Sequence, residues 1–204
     1  PEGIGPQVRL SMTELETLAA KAARGAGLDW GLAEEAGTAT RWLQARGFDA
    51  ADLLLAHLNR NTGACWQDVA PVIEGHIWRP AGSRPLCPIA TGTTLGDHAA
   101  LPQGLSAGPI DLRQVDCPVF LLPFLSGISH RLGKACAMDW PGGRATISGD
   151  AVHMQAAVAE TILADCADVQ VSLLAEPPTA ATPAPSVRQI AIGTLRGLDA
   201  LAMR

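Results

Sequence analysis

The sequence contains no tyrosine, so one common proton donor and acceptor of enzyme sites is missing. Phenylalanine is scarce, and the large aromatic side chains are mainly tryptophans, at positions 30, 42, 66, 78 and 140. No run of Lys and Arg occurs, and the 20 acidic residues outnumber the 15 basic ones, for a formal net charge of −5. Binding to nucleic acid needs a concentrated cationic surface, and so does binding to anionic lipid. The composition argues against both partners. The most apolar run, Pro118 to Ile128, is broken by Pro123, Ser126 and Gly127. It falls short of the roughly 20 residues a membrane-spanning helix needs.

Cysteine spacing excludes two further classes. Cys65, Cys87, Cys117, Cys136 and Cys166 are odd in number and never form a C-x-x-C pair. They read as reduced thiols, neither a disulfide framework nor a zinc module. The five histidines, at 57, 76, 98, 130 and 153, fall in different predicted elements, and no two stand at i, i+4. No metal site is expected. A Walker loop, a G-x-G-x-x-G turn, a G-x-S-x-G elbow and an H-E-x-x-H helix are all missing, so no cofactor can be named. The start of the chain lacks a basic-then-apolar pattern. With the thiols, this gives a soluble, cytoplasmic expectation.

What is present is a globular composition, with 48% apolar and 17% charged residues in 204. Residues 1–10 have no clear period and read as a loose arm. Ser11-Met12-Thr13-Glu14 is a capping box, in which the Ser and Glu side chains satisfy backbone N–H groups of a first helical turn. Leu15, Leu18, Ala19 and Ala22 follow at helical spacing. Asp29 opens a second helix and Asp49 a third, the latter burying Leu54, Leu55 and Leu58. Gly37 inside the second helix costs roughly 1 kcal/mol in propensity and implies a close neighbour.

From about residue 70 the period changes. Val72–Trp78 reads as a strand with a bulge at Gly75, and Val115–Leu122 as a buried strand followed by a helix that Pro123 opens and Gly133 closes. Lys134–Trp140 and Arg144–Ser148 flank Pro141-Gly142-Gly143 as a hairpin. Gly149-Asp150 is a second turn into Ala151–Gln155, or else the start of a helix, which is favoured from Ala156 on. Val169–Ala175 is another strand. Residues 177–186 form a Pro-rich linker, and residues 187–204 an amphipathic helix that packs on its own domain or on a neighbouring subunit. The fold class is therefore α+β. An N-terminal helical layer (11–60) precedes a small, mostly antiparallel sheet with covering helices (70–176), the two making one domain over 11–176.

The stretch with the most chemistry is Arg79–His98. It reads as a long irregular connector, and such segments are often functional. Arg79 and Arg84 would pair with a small anion, carboxylate or phosphate. Thr91, Thr93 and Thr94, in a Thr-Gly-Thr-Thr turn, would hydrogen-bond it. Asp97 and His98 would move protons. The plainer reading of the turn is a loop tied down by its own Thr hydroxyls. Cys87 reads as a buried apolar side chain, His57 as a structural residue, and His130 as a favourable charge at a helix C-terminus. The competing functional class is a non-catalytic accessory or oligomeric subunit. It would assemble as a homo-oligomer through the C-terminal helix, whose Gly193-x-x-x-Gly197 permits close approach.

Three segments carry a family resemblance: Ala22 through Gly37, Cys87-Pro88-Ile89-Ala90-Thr91-Gly92-Thr93, and Trp140-Pro141-Gly142-Gly143. They resemble an uncharacterised bacterial family known only as a domain of unknown function. The resemblance implies a bacterial cytosolic protein and assigns no activity, so it transfers no catalytic residues. The N-terminal helices are also faintly similar to those opening the malate/L-lactate dehydrogenase-like family. The Asp-Ser-His-Gly run expected after them is missing here.

Overall fold

The computed structural model describes residues 7, 8, 10–154, 163, 166–175 and 189–204. The Pro-rich linker, most of the N-terminal arm and the helix expected from Ala156 lie outside them. The fold is α+β, and the chain divides into two compact units, residues 1–65 with 184–204, and residues 66–183.

The first unit is helical. Helix α1 (Met12–Ala26) starts at the capping box, with the Ser11 N–H donating to the Glu14 carboxylate at 2.8 Å. It stops where Gly27 turns left-handed, φ 115°. Helix α2 (Trp30–Gln44) is capped by Asp29, whose carboxylate accepts the Leu32 N–H at 3.0 Å. Helix α3 (Ala50–Asn61) follows, and the C-terminal helix, Ile192–Ala202, packs on α1 and α3. That last helix starts later than its apolar period suggests, because Ile190–Ala191 pair antiparallel with β1 (Gln7–Val8) as a two-residue ladder. Leu15, Leu43, Leu54, Leu58 and Leu198 are fully buried between the helices, each contributing about 1.5–3 kcal/mol through removal from water. Gly37 has its neighbour: a β-carbon there would lie 2.6 Å from the Glu16 carbonyl oxygen of α1. His57 is also fully buried, and Asn61 Nδ2 lies 3.3 Å from its Nδ1.

The second unit is a seven-stranded sheet with helices. After a short helix α4 (Trp66–Val69) come β2 (Pro71–Glu74), β3 (Ile77–Pro80), α5 (Pro88–His98), β4 (Ile110–Asp116) and a 3₁₀ turn (Pro118–Leu121). Then come α6 (Leu122–Leu132), β5 (Cys136–Trp140), β6 (Gly143–Ser148), β7 (Ala151–Met154) and β8 (Cys166–Leu173). The strand order is β2-β3-β4-β8-β5-β6-β7, and only β3 and β4 run parallel, joined by α5. Alternation sorts the faces. Trp78, Leu112 and Val169 form one apolar row and Ile110, Val171, Met138 and Ala145 the next. The opposite face carries Asp111, Gln170, Asp139 and Arg144 in a cross-strand row.

Three local readings are corrected. Residues 88–98 are a helix where the Gly and Thr content predicts a loop. Pro88 sits in its first turn and Ile89, Ala90 and Leu95 are buried. Gly92 lets α5 approach α6 so closely that a β-carbon would strike the Phe124 ring. Tertiary packing outweighs weak helix propensity here. Gly75 (φ 61°) turns a β2–β3 hairpin and is no bulge within one strand. The strand expected at 115–122 ends at Asp116, because Cys117 is left-handed (φ 42°) and Pro118 cannot donate to a ladder.

Candidate functional site

The residues nominated in Arg79–His98 are spread over a hairpin, a loop and a helix. Arg79 donates to the Glu74 carboxylate at 2.5 Å across the β2–β3 hairpin, where both side chains are about half exposed. Arg84 is half-buried in the loop before α5. Thr93 and Thr94 donate their hydroxyls to the Ile89 and Ala90 carbonyls at 2.9 and 2.8 Å, one turn back in α5. Thr91 is fully buried and its hydroxyl has no partner. Asp97 is exposed. His98 places Nδ1 2.9 Å from the Thr94 carbonyl oxygen, so that nitrogen carries the proton, and its ring meets Trp78 edge-on at 5.6 Å. In a helix the backbone N–H groups beyond the first turn are committed to i−4 carbonyls, so Thr93 and Thr94 offer an anion no free backbone N–H.

Among the described residues, polar side chains also collect in concave regions elsewhere. In the helical unit a groove of about 1280 Å³ runs along α1 between α2 and the C-terminal helix. Trp30 and Met203, 70% and 83% exposed, stand on it, and the Arg24 guanidinium lies 5.3 Å from the Trp30 ring centre. On the polar face of the sheet a shallow hollow of about 270 Å³ borders Asp111, Arg113, Asp139 and Asp168. Its charges are largely spent on one another. Arg113 pairs with Asp168 at 3.0 Å, Gln170 donates to Asp111 at 2.8 Å, and Arg144 pairs with Asp139 at 2.5 Å. The Gln114 backbone N–H, 2.9 Å away, holds the Asp168 carboxyl below the ordinary carboxylate range, and Arg113 adds to the effect.

The third region lies where α6 ends against the β6–β7 turn. A pocket of about 320 Å³ is lined there by Ser129, His130, Lys134 and Ser148, with Ala135 and Leu174 as its apolar wall. Sequence periodicity explains half of its assembly. Ser126, Ser129 and His130 are three and four residues apart on α6, so they share a side of the helix. The turn supplies the rest. Asp150 places Oδ2 3.5 Å from His130 Nε2 and Oδ1 3.4 Å from the Ser126 hydroxyl. The Gly149 N–H donates to Ser129 Oγ at 2.9 Å. Gly149 has φ 55°, and a β-carbon on it would lie 3.2 Å from the imidazole. His130 and Asp150 are thus partners across twenty residues of chain. The helical spacing hinted at one side of this corner, and Gly149-Asp150 reads as a turn on the other, but nothing in the sequence brings the two together.

Among the described residues no group of three or more His, Cys, Asp or Glu side chains is arranged to hold a metal ion. No helix among them is long and apolar enough to cross a membrane. Fold and corner together define an α+β protein with a small polar pocket at a helix C-terminus. Residues 10–87 match the model of a family described as a protein of unknown function (DUF3726). That match covers α1 to α3 and the β2–β3 hairpin and stops before α5, so the α6 pocket lies outside it. The chain has no match to a curated protein.

Proposed function

We propose that the chain binds a small metabolite carrying a carboxylate or phosphate, in the pocket at the C-terminal end of α6. One observation carries this reading: Lys134 and His130 line the same 320 Å³ pocket as two serine hydroxyls. The volume is at the lower end of small-molecule sites, fit for a ligand of a few heavy atoms. This keeps the ligand class that Arg79–His98 suggested and moves the site to another part of the sheet unit. Thermal denaturation of the full chain with acetate, succinate and inorganic phosphate tests it. A ligand at a hundred times its Kd should stabilise the fold by about 2.7 kcal/mol. Lys134→Ala and His130→Ala should abolish that shift. If no such compound raises Tm, the reading fails.

A second reading, a non-catalytic accessory or oligomeric subunit, is favoured by Trp30 and Met203 on the groove of the helical unit. The buried face of the C-terminal helix, Leu198 and Leu201, is already spent within that unit. Assembly would therefore use the exposed Met203 end with Trp30. Light scattering of the native chain and of Trp30→Ser/Met203→Ser decides it. A single mass for both removes this reading.

A further inference from the structure

A lysine is charged throughout the neutral range, whereas an imidazole gains or loses its charge between about pH 5 and 8. The lining of the α6 pocket has one of each, Lys134 and His130. Three influences act on the charge of His130. It stands in the last turn of α6, where the helix dipole favours a cation. Asp150, in the β6–β7 turn, places Oδ2 3.5 Å from its Nε2 and favours the same form. Lys134 is a like charge on the same pocket and opposes it. The His130 and Asp150 side chains are 57% and 70% exposed, so their attraction alone is weak. Ser129, Ser148 and Gly149 border the pocket without charge. Arg131, next on the helix, is turned to the Gly96 carbonyl of α5 at 2.9 Å.

An anion in the pocket tips this balance. It neutralises Lys134 and adds its own attraction for the imidazolium. Ligand and proton therefore strengthen one another's binding by the same factor. We propose that the pocket takes up its anion together with a proton on His130, and releases it as rising pH removes that proton. Asp150 is a positioning residue for this step. It steadies the imidazolium from beside the pocket without touching the ligand. This rests on the preceding reading of the same pocket and adds how the site is regulated.

Two measurements on the full chain test the coupling, with acetate and sulfate as probes because neither changes its own charge in this range. The first follows the imidazole Cε1–H resonance of His130 against pH by NMR, with and without saturating probe, assigned by its loss in His130→Gln. The probe should raise the midpoint by about one pH unit, which linkage converts to a tenfold change in affinity. The second is calorimetric titration, in which Kd should rise by that same factor of about ten between about pH 5.5 and 8.5. Asp150→Asn should move this fall in affinity to lower pH and leave binding at the acid end unchanged or tighter. A uniform loss at every pH would instead overturn the part given to Asp150. Binding with an unmoved midpoint and a flat pH profile overturns the proton coupling and leaves the pocket as an anion site. No binding of acetate, sulfate or phosphate at any pH overturns both.

Discussion

The backbone carbonyl of Leu201 in the C-terminal helix occupies the space that a β-carbon on Gly25 of α1 would need. Two helices distant in sequence therefore touch backbone to backbone. Gly197 makes a similar approach one turn earlier, where a β-carbon would lie 2.6 Å from a Leu55 methyl group of α3. Gly193, the other end of the same G-x-x-x-G, has nothing within 4 Å of the corresponding position.

These neighbours set opposite signs for one substitution. Alanine gains about 1 kcal/mol over glycine in a helix interior. Gly193 is the second residue of its helix, where only part of that gain applies and nothing opposes it, so Gly193→Ala should raise stability by less than about 1 kcal/mol. At Gly25 the methyl group meets backbone, which cannot rotate away. Overpacking of this kind costs about 1–3 kcal/mol or more, so Gly25→Ala should lower Tm. Urea denaturation of both variants checks the pair. Equal effects at the two positions would show that the helices are not in this contact.

Thr91 makes a second, sharper test. Its hydroxyl is fully buried in α5 and unpaired, and leaving such a group unsatisfied costs about 1–3 kcal/mol. Thr91→Val keeps the branched shape and removes the polar atom. Stability should stay level or rise by about 1 kcal/mol, while Thr91→Ala should fall below Val through lost packing. Destabilisation of Thr91→Val by more than that amount would mean that the hydroxyl has a partner.

How much was legible follows from the range of each signal. The capping box at Ser11, the Asp29 cap, the end of α6 at Gly133 and the β5–β6 hairpin are encoded within a few residues, and all four are present. The identity of α5 is not local. Gly92, Thr93 and Thr94 favour a loop, and only Phe124 from α6 and the buried side of Ile89 and Leu95 make a helix preferable. The same distinction governs the candidate site. Arg79–His98 was conspicuous because its chemistry is contiguous in sequence, whereas His130 and Asp150 meet only after the sheet has formed. Helical spacing could have grouped Ser126, Ser129 and His130, but Gly149-Asp150 reads equally as a turn or a helix start.

Asp168 gives an acid-dependence prediction. Its carboxylate accepts from the N–H of Gln114, which sits in left-handed conformation (φ 53°) at the bulge of β4, and pairs with Arg113. A carboxyl held below its unfolded value stabilises the fold fully above the unfolded pKa, about 3.9. That contribution is lost as pH falls through the folded value. Asp168→Asn should thus be less stable than the native chain at pH 7, with the gap closing below about pH 4. Because the Asp168 side chain is 47% exposed, the gap should stay under about 1 kcal/mol. Urea midpoints at pH 7, 5 and 3 measure it. A gap that widens towards pH 3 contradicts the assignment.

The thiols report on the integrity of the sheet unit. Cys65 and Cys166 are exposed, whereas Cys87, Cys117 and Cys136 are buried. Cys136 lies on the apolar face beside Ile147 and Leu173, and burial pushes its thiol up to about 11. The thiolate is the reactive form, so at pH 8 this residue is protected both by access and by charge state. A disulfide reagent such as DTNB should titrate two thiols quickly in the native protein. The other three should follow only as the sheet opens, and all five at once in denaturant. Alkylation and peptide mass analysis assigns the fast pair. Cys136 reacting as fast as Cys166 would mean that the sheet opens around the interior strand β5 far below the global unfolding free energy, and the buried face described for β5 would then be wrong.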